Sequence, residues 1–296
     1  MLDRLKIAFY DPGNDRYPFL SSADIISMRP EIEYYLSKKL TKHLDHLIIK
    51  KWDVLISCSG TIGNVGLASA SFTGIALSQD AIRLRASNPE TAGYITAFLR
   101  CKYGRLQIVQ ATYGSVIKHI EPLHLQRVYI PEFKDQRASL GSQVVRAYEL
   151  RDEANKLLEK ADAELHTLLK LPPLSEVISE KPGPVIVRQR ASKLSSRFDS
   201  SFHDPGAKVA EEVLRKSTWE IVSLGDPRVT IEIRPITKFR KRIYVPKAGI
   251  LMLNSKQLMQ IDPVDVKHLA KAAHTKDIPE IGLKPNMVTG VGEAQS

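Results

Sequence analysis

The sequence predicts a mixed α/β (α+β) fold in two bodies joined by a long, coiled-coil-like helix, with the second body cut short. Three observations predict it. Short β-branched or aliphatic runs broken by turns fill both flanks, a heptad pattern of apolar residues fills the middle, and a weak internal repeat relates one flank to the other. A chain of 296 residues is long enough for two domains of ordinary size.

In the first flank the runs DVLIS, GLAS, IALS, AIRLR and RVYIP read as strands, and 92–110 (AGYITAFLRCKYGRLQIVQ) reads as one helix. The middle follows. Leu140, Val144, Ala147, Ala154, Leu158, Ala161, Leu165 and Leu168 recur at alternating steps of four and three, with Arg151 the exception. That is an a/d seam, and it predicts a helix that packs at a shallow angle against another helix. Pro172 and Pro173 end it, and the Pro-, Gly-, Ser- and base-rich stretch after them reads as a linker. In the second flank 207–216 (AKVAEEVLRK) reads as a helix, and VTIEI, RIYVP and GILML as strands.

The repeat rests on few identities. Tyr10 and Pro12 match Tyr244 and Pro246, Leu20 and Ser22 match Leu253 and Ser255, and Lys50 and Val54 match Lys284 and Val288, all at separations of 233 or 234. By that register the first copy starts late and the second stops just before its own version of the turn at 59–63.

Net charge is +10, which points to a polyanionic partner. The excess lies in the ends. Residues 1–136 carry 17 basic and 13 acidic side chains, 137–171 carry 6 and 6, and 172–296 carry 20 and 14. No apolar run reaches the roughly 18 residues of a membrane span, and the N-terminus lacks the apolar core of a signal peptide, so a cytoplasmic protein is expected. Cys58 and Cys101 form neither a metal-ligand spacing nor a disulfide framework and read as small core residues.

The segment WDVLISCSGTIGNV raises the question of chemistry, because an apolar strand opens into hydroxyls and glycines. Catalytic readings fail. Ser57 stands where a nucleophile elbow needs glycine. Gly60 to Gly63 is too short for a phosphate-binding loop and lacks the following Lys-Ser or Lys-Thr. There is no Asn-Pro-Pro-aromatic or Asp-Pro-Pro-aromatic run of an amino-methyltransferase and no glycine fingerprint for a nucleotide, so no cofactor is expected. Pro122 spoils the spacing of His119 and His124 for metal ligation. A KH-type Gly-x-x-Gly clamp needs a preceding helix, whereas residues 52–57 alternate like a strand. What fits is a hairpin turn whose hydroxyls and amides at Ser57, Ser59, Thr61 and Asn64 meet phosphates or base edges, with the bland alternative that the turn serves only the fold. Gln79, Arg83 and Arg85 around a strand, and Tyr113, Ser115 and Lys118 around a Gly-Ser turn, carry side chains that pair with bases, although a solvated strand face would look the same.

The run WDVLISCSGTIGNVGLAS, then ALSQDAIRLRA, then GYITAFLRCKYGRLQIVQATYGSVIKHIEPLHLQRVYIPEF and a heptad helix resembles a target-recognition domain with its conserved helix from the specificity subunits of type I restriction-modification systems. LSSRFDSSFHDPG resembles the entry to a second such domain and GILMLNSKQL its interior, which adds Asn254, Ser255 and Lys256 to the candidate contacts. The resemblance implies a non-catalytic DNA reader. One domain would span 1–136, a spacer helix 137–171, a linker 172–194 and a partial second domain 195–296. It implies double-stranded DNA with a bipartite site, adenine-methyltransferase subunits docked on the helices, and an endonuclease subunit that such assemblies can recruit. The seam finds no second helix in this chain, so its expected partner is another copy or a methyltransferase. The competing expectation is an interaction protein whose basic domains bind RNA.

Overall fold

The computed structural model describes residues 15–59, 62–114, 118–133, 135–170, 203, 205–233, 242–260, 263–264, 266–285 and 287–289. The expected linker at 172–194 lies outside them, as do Tyr10, Pro12, Thr61 and Ser115. The chain divides into two compact units, residues 1–155 with 237–296, and residues 156–236.

In the first unit, β3 (Val54–Ser57) is buried on both faces. Its alternation sends Val54 and Ile56 into one apolar cluster and Leu55 into another, as period two requires. It lies between β4 (Val65–Leu67) and β6 (Ala81–Leu84), antiparallel to both. A second sheet places β1 (Arg16–Leu20) between antiparallel β2 (Tyr34–Ser37) and parallel β5 (Ala76–Leu77).

The expected helix at 92–110 is two helices, α1 (Pro89–Arg100) and α2 (Lys102–Gln110). Asn88 starts α1 by accepting from Thr91 N at 2.8 Å, with Pro89 in the first turn. Cys101 is extended, and the bend brings Gly104 so close to Phe98 O that no Cβ would fit there. RVYIP is not a strand either. The Gln107 side chain takes the place of a neighbouring strand, accepting from Tyr129 N at 2.9 Å and donating to Tyr129 O at 3.0 Å. VTIEI is also irregular. Its apolar residues find no sheet to cover them, and Ile231 is fully exposed.

After a single helical turn, α3 (Pro122–Leu125), helix α4 (Arg137–Leu169) matches the seam in extent. The face it docks is a neighbouring one. Gly141 meets Gly93 and Glu90 of α1 at backbone contact, and Tyr148, Arg151, Asp152 and Asn155 are buried at helical spacing. Asp152 Oδ1 accepts from Ser69 Oγ and Ser71 Oγ, both at 2.8 Å, and Oδ2 accepts from Ala70 N at 2.8 Å. Arg151 donates to Ser69 Oγ at 2.6 Å and lies over the rings of Phe72 and Tyr148. Of the seam, Val144 is half-buried against the core, whereas Leu140, Ala147, Ala154, Leu158, Ala161, Leu165 and Leu168 are exposed.

The same unit includes a third sheet, in which β9 (Lys267–Leu269) lies between β7 (Tyr244–Val245) and β8 (Ile250–Met252). Its pairing repeats that of the first hairpin. Tyr17↔Leu36, Pro18↔Tyr35 and Phe19↔Tyr34 become Ile250↔Leu269, Leu251↔His268 and Met252↔Lys267, each partner 233 positions further along. A short helical turn follows β1 and the equivalent β8, at Ser22–Ile26 and at Ser255–Leu258, and a capping box opens both. Over the hairpin the internal repeat is therefore structural and runs in one register, whereas Val54 and Val288 do not correspond, the first buried in β3 and the second irregular and fully exposed.

The second unit contains α4 from Lys156 onward, the helix Pro205–Arg215 and the segment to Ile233. Within it, Trp219 Nε1 donates to Leu168 O at 3.0 Å.

Candidate nucleic-acid interface

The turn after β3 is closed at its base by two residues that face each other. Ser57 N donates to Asn64 O at 2.9 Å, and Asn64 N donates to Ser57 Oγ at 3.0 Å. Gly63 has a φ of +84° and donates to Ser57 O at 3.2 Å, so a glycine is needed where the chain turns back. Both closing residues are buried. Ser57 and Asn64, expected as contacts, are thus spent inside the fold: the hydroxyl holds the turn and is not offered to a ligand.

Beyond Ser57 the strand continues irregularly and gathers other segments. Cys58 N donates to Asp80 O at 2.9 Å, and Cys58 O accepts from Ile120 N at 3.1 Å. Ser59 bridges His119, and His119 in turn bridges Tyr113 through two backbone hydrogen bonds, of 2.8 and 3.1 Å. Gly114, with φ +102°, turns the chain out of Tyr113. Two expected contacts, Ser59 and Tyr113, therefore both bridge His119 just past β3, and Lys118 precedes His119 in the chain. Gln79 joins them, since its carbonyl accepts from Cys58 Sγ at 3.7 Å and its side chain is exposed. Lys118 and Tyr113 are exposed, and Ser59 is half-exposed.

Tyr113 is aimed by its neighbours. Its hydroxyl donates to Glu121 Oε1 at 2.6 Å, which raises its pKa, and its ring lies against His119 and His124. His124 Nδ1 accepts from Glu121 N at 3.0 Å. Neither histidine belongs to a metal-binding group among the described residues. Glu121 and His124 were not expected as parts of this edge; a carboxylate three residues before a histidine gives no sequence signal for holding a tyrosine.

Arg83 departs from expectation. It is half-buried, and Nη1 donates to the carbonyls of Leu47 at 3.2 Å and Leu77 at 3.5 Å, so it ties strands together. Arg85 forks onto the buried carboxylate of Asp53, at 2.9 and 3.1 Å. The Cys58 thiol is buried, its pKa pushed up to about 11 first by burial and then by Asp80, which removes its nucleophilic form near neutrality. In the second copy Asn254 is exposed and caps its helical turn, and Ser255 is half-buried just behind it. Their equivalents in the first copy are Ser21 and Ser22.

No family model matches the chain, and no curated protein matches it. Solved structures resemble its fold. One is the S subunit of a type I restriction-modification system from M. genitalium, at 17% identity and a TM-score of 0.35, covering 56% of this chain and 41% of that one. Another is the HsdS subunit from Thermoanaerobacter tengcongensis, at 16% identity and a TM-score of 0.34, covering 62% of this chain and 49% of that one. The chain spans less than half the length of either. No helix among the described residues is long and apolar enough to cross a membrane.

Proposed function

We propose that this chain is a cytoplasmic, non-catalytic DNA-recognition subunit of a type I restriction-modification complex, reading part of a bipartite duplex site while docked methyltransferase subunits modify adenine. The observation that carries the reading is the gathering of Ser59, Gln79, Tyr113 and Lys118 at one strand end. These hydroxyl, amide, phenol and ammonium groups are of the kinds that meet phosphates and base edges. They come from the segments on which the family resemblance rests, in the same order.

Two further features support it. The +10 charge favours a polyanion, with counterion release on binding. The exposed a/d stripe of α4 supplies an apolar surface for the helix of a methyltransferase subunit or of another copy. An endonuclease subunit would join the same assembly.

The test is a titration of the full chain with duplex DNA at increasing salt. Affinity is expected to fall steeply with salt, and Lys118→Ala to flatten that dependence, whereas Ser59→Ala is expected to reduce discrimination among duplexes. Single-stranded RNA that displaces duplex DNA would favour an RNA-binding protein instead.

A further inference from the structure

The two hairpin copies allow a comparison of equivalent positions, because their strand register is the same. At the separation of 233 the identical pairs include Leu20 with Leu253, Ser22 with Ser255, Leu36 with Leu269 and Lys38 with Lys271. The fold accounts for most of them. Leu36 and Leu269 are buried in their sheets, and Ser22 and Ser255 open the helical turns. The lysines are different. Lys38 follows β2 directly and Lys271 follows β9 by one residue, and both are exposed. An exposed lysine contributes little to stability, so the fold gives no reason for its recurrence.

Other exposed basic residues lie near each lysine in the chain. Lys39, Lys42 and His43 are exposed beside Lys38, and Lys276 beside Lys271. Each copy also has a cation over a tyrosine ring, at positions that are not equivalent, Arg16 over Tyr35 at 5.2 Å and Lys267 over Tyr244 at 5.0 Å. Asp45 pairs with His46 in the first copy and Asp277 with His274 in the second. Asp15, held by Ser37 Oγ and Lys39 N, is near Lys38 and Lys39, but alanine occupies its equivalent position at 248. By contrast, the outward pair Tyr34 and Tyr35 is replaced by Lys267 and His268.

Two domains that read different half-sites must differ where they touch bases, yet can share what touches phosphates, because the backbone is the same in any sequence. We propose that Lys38 and Lys271 are matching phosphate contacts, one in each copy, on a surface that binds duplex DNA independently of its sequence. This rests on the DNA-recognition reading above, and it assigns to the hairpin turns a task separate from that of the Ser59 edge.

Lys38→Ala, Lys271→Ala and the double variant, made in the full chain, test it, with Lys156→Ala on α4 as the control. Circular dichroism establishes that each variant folds. The readout is the slope of log affinity against log salt, measured on several unrelated duplexes between about 50 and 200 mM salt. Each hairpin variant is expected to flatten the slope by about 0.9 and the double by about twice that, with equal loss on every duplex and no change for the control. A double variant with the wild-type slope overturns the proposal while leaving DNA recognition intact. Flattening by only one of the two lysines overturns the claim of matching contacts. A wild-type chain that binds no duplex overturns the DNA reading, and the proposal with it.

Discussion

Ser27 and Gln260 pair across an antiparallel bridge, and they are equivalent residues of the two hairpin copies. Met28 N donates to Met259 O at 2.8 Å beside them. An antiparallel contact between equivalent residues places a local two-fold relation between the copies, as an isologous interface does between subunits. Asn155 of α4 donates to Met28 O at 3.2 Å, so the helix, the first copy and the second copy meet at one residue, Met28.

This contact is open to covalent capture. Antiparallel partners have Cα atoms about 4.5–5.5 Å apart, within disulfide range. The double variant Ser27→Cys with Gln260→Cys is therefore expected to form an intrachain cross-link under mild oxidation, seen as a faster band on a non-reducing gel. Neither single variant is expected to form it, because one new cysteine has no partner thiol across the bridge.

The crossing of α1 and α4 depends on the absence of side chains at Gly93 and Gly141, where a Cβ would run into Gly141 O and Glu90 O respectively. Gly141→Ala is expected to cost about 1–3 kcal/mol by forcing the helices apart, measured by urea unfolding. An unchanged midpoint would mean that α4 does not pack on α1 in this way.

Asp152 makes stability depend on pH. Burial pushes its carboxyl up, but hydrogen bonds from Ser69, Ser71 and the amides of Ala70 and Ser71 outweigh burial and hold the pKa below the usual value. A folded pKa below the unfolded one contributes stability above about pH 3.9 that is lost as pH falls through the folded value. Asp152→Asn is therefore expected to lower the melting temperature at pH 7 and to differ less and less from wild type as the pH falls below 4. A pH-independent difference would contradict this.

The exposed seam gives a separate expectation. Leu158→Glu with Leu165→Glu changes two exposed leucines of this stripe, so the melting temperature is expected to stay within a degree or two. Sedimentation at tens of micromolar is expected to show loss of self-association, or of a shift on adding the methyltransferase. A wild-type chain that sediments as a monomer and shows no shift would contradict a helix partner.

Much of this was legible because periodicity reports burial. The short aliphatic runs DVLIS and AIRLR marked β3 and β6, and the glycines at 60 and 63 marked the turn. The first hairpin was not legible: Pro18 argues against a strand, and β2 is four residues long. The docked face of α4 was missed for a different reason. Apolar periodicity finds leucines, whereas this helix is held by an arginine, an aspartate and an asparagine whose partners lie about 80 or more residues away. Ser57, Asn64 and Arg83 illustrate the limit for the site. A hydroxyl, an amide or a guanidinium reads the same in sequence whether it faces a ligand or the protein's own backbone.

Selection from a pool of randomised duplexes asks whether this chain reads duplex sequence. Several rounds of capture on the full chain at low salt, followed by sequencing, are predicted to enrich one recurrent sequence, and Gln79→Ala or Ser59→Ala to relax part of it. A captured pool as random as the starting pool would contradict the account.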